Sequence, residues 1–188
     1  AAIASFNMFK SISSKKYNLE LNCIIKKTKD KKVKKISISF LTYLRIFFSI
    51  CFSQFLFLIF NTKNKIKRSM CLIDTGLFKN INFNNVDIIH VHWLYNEVVS
   101  LSEILNIKKK LVISLHDLWF CNGTFHYDPG EINIISRYFE EYLLKRKCQK
   151  ILDCTNVVFT VPSLWSKRRF VETLNKYSET ITTGNIKN

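Results

Sequence analysis

His116-Asp117 follows directly on the strand-like run Leu111-Val112-Ile113-Ser114-Leu115, and Trp119, Cys121, Asn122, Gly123, His126 and Tyr127 come within the next ten positions. Imidazoles, a carboxylate and a thiol at the exit of an apolar run are the groups that bind metals, move protons or hold sugar hydroxyls. A second pair, His90 and His92, ends another apolar run. As zinc ligands, His90, His92, His116, Asp117, Cys121 and His126 are of the right types, but their spacing matches no established zinc pattern. His90 and His92 alternate along a strand and so share one face. Ser114 stands two residues before His116, a poor placement for a nucleophile and its base. The chain has no G-x-S-x-G elbow, no G-x-x-x-x-G-K-[ST] loop and no G-x-G-x-x-G turn. An α/β-hydrolase, a P-loop enzyme and a direct dinucleotide site are therefore disfavoured.

The elements that must position these groups follow from the apolar pattern. Residues 1–16 carry Ala2, Phe6, Phe9 and Ile12 at helical spacing. Residues 19–25 suit a strand, and the charge run 26–35 reads as a solvated loop. From residue 86 onward the elements alternate. Residues 86–92 predict a buried strand, 97–107 a helix, 111–115 a second buried strand and 131–150 a long helix. Residues 157–161 predict a third strand and 164–177 a helix capped by Ser163. Thr180-Ile181-Thr182-Thr183 predicts a last short strand. This order predicts a single α/β domain: a parallel, Rossmann-like sheet with helices on both faces and its ligand at the carboxyl ends of the strands.

Residues 46–60 are the most apolar stretch, and basic residues flank them on both sides. As a helix this segment is about 22 Å long at about 1.5 Å per residue, short of the ~30 Å of a bilayer core. Three readings stay open: a buried helix, contact with an anionic membrane surface, and a span. Residues 36–68 are accordingly read as an apolar and basic insertion able to touch a membrane.

Composition narrows the partners. The chain is 47% hydrophobic and 23% charged, which excludes a disordered chain. A formal charge of +15 favours polyanions, although richness in Lys, Asn and Ile is also what AT-rich coding sequence produces. Most aromatics are Phe within apolar runs, which argues against a stacking platform for nucleic acid. The six Cys form no C-x-x-C pair, and reduced thiols in a cytosolic setting are expected.

Four motifs in order, Asp87-Ile88-Ile89-His90-Val91-His92-Trp93, Leu115-His116-Asp117-Leu118-Trp119, Gly123-Thr124-Phe125-His126-Tyr127 and Val161-Pro162-Ser163-Leu164-Trp165, resemble the N-terminal domain of glycosyltransferase family 4. The subgroup resembled acts in capsule, O-antigen and exopolysaccharide assembly. Ala1-Ala2-Ile3-Ala4 resembles the end of that family's glycine-rich helix start, and Thr182-Thr183-Gly184-Asn185-Ile186 its domain boundary. The resemblance is weak over residues 26–85.

It implies the N-terminal half of a GT-B fold, lacking its first strand and its second domain, so that the chain reads as a fragment inactive by itself. The implied reaction moves a sugar, with retained configuration, from a nucleotide-sugar to a glycan or lipid-linked acceptor. It uses no metal or other cofactor, and the donor is held mainly by the second domain. The implied catalytic residues are His116 and Asp117. The implied substrate-binding residues are His92, Trp93, Trp119, Gly123, His126, Tyr127 and Ser163. The implied location is the cytoplasm, at the inner face of the plasma membrane, with an anionic membrane and no nucleic acid as partner. The alternative is a non-catalytic glycan- or membrane-binding module.

Overall fold

The structure is a computed structural model that describes residues 2–12, 16–60, 66–92 and 96–184. It is a mixed α/β arrangement with two small parallel sheets. In chain order the elements are α1 (Ala2–Ser11), β1 (Leu21–Cys23), β2 (Val33–Lys35), α2 (Phe40–Ile59), β3 (Ile88–His92), α3 (Leu101–Leu105), β4 (Lys110–Ser114), α4 (Ile134–Leu152), β5 (Val157–Thr160) and α5 (Leu164–Gly184), with short 3-10 turns at Leu77–Asn80 and Trp119–Cys121. β1 pairs with β2, and β3-β4-β5 form the larger sheet with β4 in the centre.

β4 dictates the core. Leu111 and Ile113 point to one face and are 1% exposed, as a central parallel strand requires. On that face Ile89 and Val91 of β3 and Val157 and Phe159 of β5 pack beside them. Ile104 of α3, Ile151 of α4 and Phe170 of α5 close over the same layer. The opposite face carries Ile88, His90 and His92 from β3, Val112 and Ser114 from β4, and Val158 and Thr160 from β5. None of these is buried. The expectation of helices on both faces is thus met on one face among the described residues, and the face holding two of the four histidines is open.

Several elements differ from the sequence reading, each for a physical reason. Val33–Lys35 is a strand within the expected loop: Val33 is buried against β1, while Lys34 and Lys35 point to solvent. β3 is an edge strand with Ile88 more than half exposed, so it is not buried as its apolar run suggested. The helix expected from Glu97 begins only at Leu101. Asn96 and Glu97 have φ of 57° and 58°, and Ser100 closes a capping box with Glu103. Residues 180–183 continue α5 rather than form a strand. The expected domain boundary is described only as far as Gly184, and residues 185–188 lie outside the described residues. α2 is twenty residues long, starts six residues earlier than the apolar stretch, and is capped by the Ser39 hydroxyl accepting from Thr42 N at 3.2 Å. Part of the proposed insertion, 61–65, lies outside the described residues.

Candidate functional site

Parallel register builds the site. His92 lies opposite Ser114, and Ser114 opposite Thr160, on the open face at the carboxyl edge of the sheet. His90 Nε2 meets Ser114 Oγ at 2.8 Å, and Ser114 Oγ meets Thr160 Oγ1 at 2.7 Å, a chain of hydrogen bonds across all three strands. One residue beyond the end of β4, Leu115 N still donates to Thr160 O. The next residue, His116, clears the sheet and is exposed. Its Nε2 lies 3.2 Å from His92 Nδ1, so one imidazole donates and the other accepts, as two neutral rings can. His116 and Asp117 border a shallow cleft that reaches Phe120.

Partial desolvation lowers the pKa of all three rings and favours their neutral form. Desolvation, with His90 and His116 close by, pushes the His92 pKa down to about 4. His90 and His116 are also lowered, chiefly by burial, with the Asp117 carboxylate opposing the shift at His116. The unfolded chain therefore binds more protons than the folded one between about pH 6.5 and the lowered folded values. Stability should fall as pH drops from about 6.5 toward 4. Urea midpoints measured at intervals across this window should decline, and His92→Asn should flatten the slope. An unchanged slope in that variant would show that His92 titrates normally.

Asp117 turns the other way. Its Oδ1 accepts from Trp119 N at 3.0 Å, starting the 3-10 turn, and its Oδ2 meets His126 Nδ1 at 2.7 Å. His126 Nε2 in turn meets Ser69 Oγ at 2.9 Å. Serine, histidine and aspartate in that order form the row a hydrolase uses. Here Ser69 and His126 are both 0% exposed, so no substrate carbonyl reaches the hydroxyl. The row ties the 116–127 loop to the segment at 67–70. Trp119 Nε1 donating to Ser69 O at 2.7 Å and His126 N donating to Lys67 O at 3.0 Å do the same.

α4 locks the loop from beneath. Lys147 Nζ donates to the carbonyls of Trp119, Asn122 and Gly123 at 2.6, 2.8 and 3.0 Å and stands 3.4 Å from the Trp119 ring centre. Burial pulls its pKa down to about 7. The three carbonyls accept the three ammonium N–H bonds and so favour the charged form. Glu140 accepts from Thr124 N at 2.6 Å, from the Thr124 hydroxyl, and from Arg68 Nη2 at 3.2 Å.

Of the sequence-derived site residues, the structure brings His92 and His116 together at the open edge. Asp117 follows His116 in the chain, but its carboxylate bonds the loop. Trp119 and His126 are closed to solvent, and Gly123 is packed against Glu140. Tyr127 is 58% exposed beyond the loop. Ser163 is exposed and caps α5, accepting from Ser166 N at 3.1 Å. Trp93 lies outside the described residues.

Sequence reasoning missed Ser69, Arg68, Glu140 and Lys147. Glu140 and Lys147 stand seven residues apart on one face of α4, but only their burial in the fold singles them out. Among the described residues no group of three His, Cys, Asp or Glu side chains is set to hold a metal ion. Comparisons with protein families, with characterised proteins and with solved structures find no match to this chain.

Proposed function

We propose that the chain is the acceptor-side, Rossmann-like half of a GT-B glycosyltransferase. It would move a sugar from a nucleotide-sugar to a glycan or lipid-linked acceptor in surface-polysaccharide assembly, with retention. The observation that carries this reading is the contact of His92 with His116 at the carboxyl edge of a parallel sheet. The motifs that resemble family 4 put the sugar at that edge, and it is where open α/β sheets bind ligands. Neutral imidazoles are suited to the role. Beyond their mutual bond the pair keeps one donor and one acceptor for hydroxyls or a donor phosphate oxygen, without the desolvation cost of a fixed charge. The exposed Tyr127 is the aromatic group of the loop free to lie against a sugar face. Asp117, Trp119, Gly123 and His126 then act by holding His116 in place.

A second reading, a glycan-binding module without turnover, draws support from the burial of Trp119 and His126, which leaves few exposed groups at the edge. The two separate by ligand. In an NMR titration of the histidine rings, a transferase edge responds to a nucleotide-sugar at His116 as well as to an acceptor glycan. A binding module responds to the glycan alone.

A further inference from the structure

α2 is an amphipathic helix turned inside out. Its protected positions are Thr42, Ile46, Ser49, Ser53, Leu56 and Phe57, a stripe at helical spacing, and the three most buried of them are polar. The stripe is bonded to the domain. Asn80 Nδ2 donates to Thr42 Oγ1 at 3.4 Å, Ser53 hydrogen-bonds the buried carboxylate of Glu97, and the Phe57 ring lies 4.3 Å from the Arg68 guanidinium. Just past the helix, Phe60 stacks on Phe139 of α4 at 4.0 Å. Outside the stripe α2 is mostly large and apolar, Arg45 and Gln54 being its two polar exceptions: Phe40, Phe47, Phe48, Phe55, Leu58 and Ile59 are each more than half exposed. At about 100° per residue the exposed apolar positions sweep about 200° of the helix. A patch of this size is far beyond the scattered hydrophobics of an ordinary soluble surface.

We propose that α2 lies in the plane of an anionic lipid bilayer, with its small polar stripe on the domain and its exposed phenylalanines in the acyl region. Three observations choose the occupant. No Asp or Glu occurs between Asp30 and Asp74, whereas Lys31, Lys32, Lys34, Lys35, Arg45 and Lys67 fall in that interval. That one-signed charge is complementary to anionic headgroups. The exposed arc is too wide for one partner helix, which covers a single stripe, and a bilayer covers all of it. α2 is also long and apolar enough to cross a membrane by length and composition. Its polar stripe is nevertheless bonded to Asn80 and Glu97, so crossing would carry part of the domain into hydrocarbon. This inference stands apart from the sugar-transfer reading and survives its failure.

Cys51 is a built-in probe, exposed near the centre of the apolar arc. The full chain is alkylated with a charged maleimide, and the modified peptides are counted by mass spectrometry. The vesicles are phosphatidylcholine alone or phosphatidylcholine mixed with phosphatidylglycerol. Mixed vesicles should slow Cys51 alkylation at least about tenfold. Cys23 should keep its rate, raised salt should weaken the protection, and alkaline carbonate should release the protein. Phe48→Ser combined with Phe55→Ser, both at exposed positions, should reduce protection and leave the urea midpoint unchanged. Equal Cys51 reactivity with and without mixed vesicles overturns the proposal. Protection that grows with protein concentration in the absence of lipid assigns the face to a second copy. Retention by the vesicles after carbonate assigns a span, and either result also overturns it.

Discussion

Gly123→Ala should destabilise the protein by about 3 kcal/mol or more, the largest effect expected among Gly76, Gly123 and Gly130. A Cβ at Gly123 would lie 2.3 Å from Glu140 O and 2.8 Å from Glu140 Cα. Both are backbone atoms in the interior of α4, so no rotamer change relieves the clash. Either the loop lifts or the helix shifts. Lifting the loop breaks three Lys147 hydrogen bonds and the Glu140–Thr124 pair together. Gly130→Ala is the control. It has φ of +62° but nothing within 4 Å of the new methyl group, so it should cost only the left-handed backbone term of about 1 kcal/mol. Urea denaturation of the two variants checks the contrast. A Gly123→Ala midpoint equal to that of Gly130→Ala would show that the loop does not rest on α4.

Glu140→Ala should cost about 3–5 kcal/mol, because it takes the Glu140 carboxylate from a buried guanidinium. The side chains of Arg68 and Glu140 are 7% and 10% exposed. The carboxylate also satisfies Thr124 N, whose donor would be orphaned as well. Arg68 cannot escape to solvent readily, since its guanidinium lies 4.3 Å from the Phe57 ring centre and 4.6 Å from that of Phe125. Removing both charges should therefore hurt less than removing one. The double variant Arg68→Met with Glu140→Leu should recover part of the loss, a coupling that a double-mutant cycle reads directly. Additive losses in that cycle would mean that the two groups do not share a buried site. Arg68 also links Phe57 of α2 to Phe125 of the loop, so the loop and the helix proposed to meet lipid share one buried ion pair.

The parts of this fold that could be read in the sequence are those whose signal is local. β4 and β5 are continuous apolar runs, α4 and α5 follow clear starts, and Ser163 caps α5 as its position before a helical pattern predicts. Where pattern and context disagree, context wins. The Lys-rich stretch ending in β2 hides one inward residue, Val33, among outward lysines. Thr180 to Thr183 have strand propensity but continue a long helix already under way. Most of α2 was readable as a helix, but not its orientation, because an apolar helix normally buries its phenylalanines and this one buries Ser49 and Ser53.

The site divides in the same way. Its open pair, His92 and His116, was visible as two polar strand ends. The groups that hold the loop come from far along the chain: Ser69 is 57 residues from His126, and Arg68 is 72 from Glu140. No spacing rule links residues so far apart. The dense group at 116–127 thus serves two purposes, and most of it builds the loop that presents His116.

The His92–His116 edge is proposed to receive sugar. The most direct measurement follows the ring resonances of the four histidines by NMR while an acceptor glycan and then nucleotide-sugars are added at about millimolar concentration, the range expected for one half of a two-sided site. His92 and His116 should shift with the glycan and His116 with the nucleotide-sugar, while the buried His126 stays still. Rings of His92 and His116 unmoved by every sugar ligand, or a shift confined to His126, would contradict the proposal.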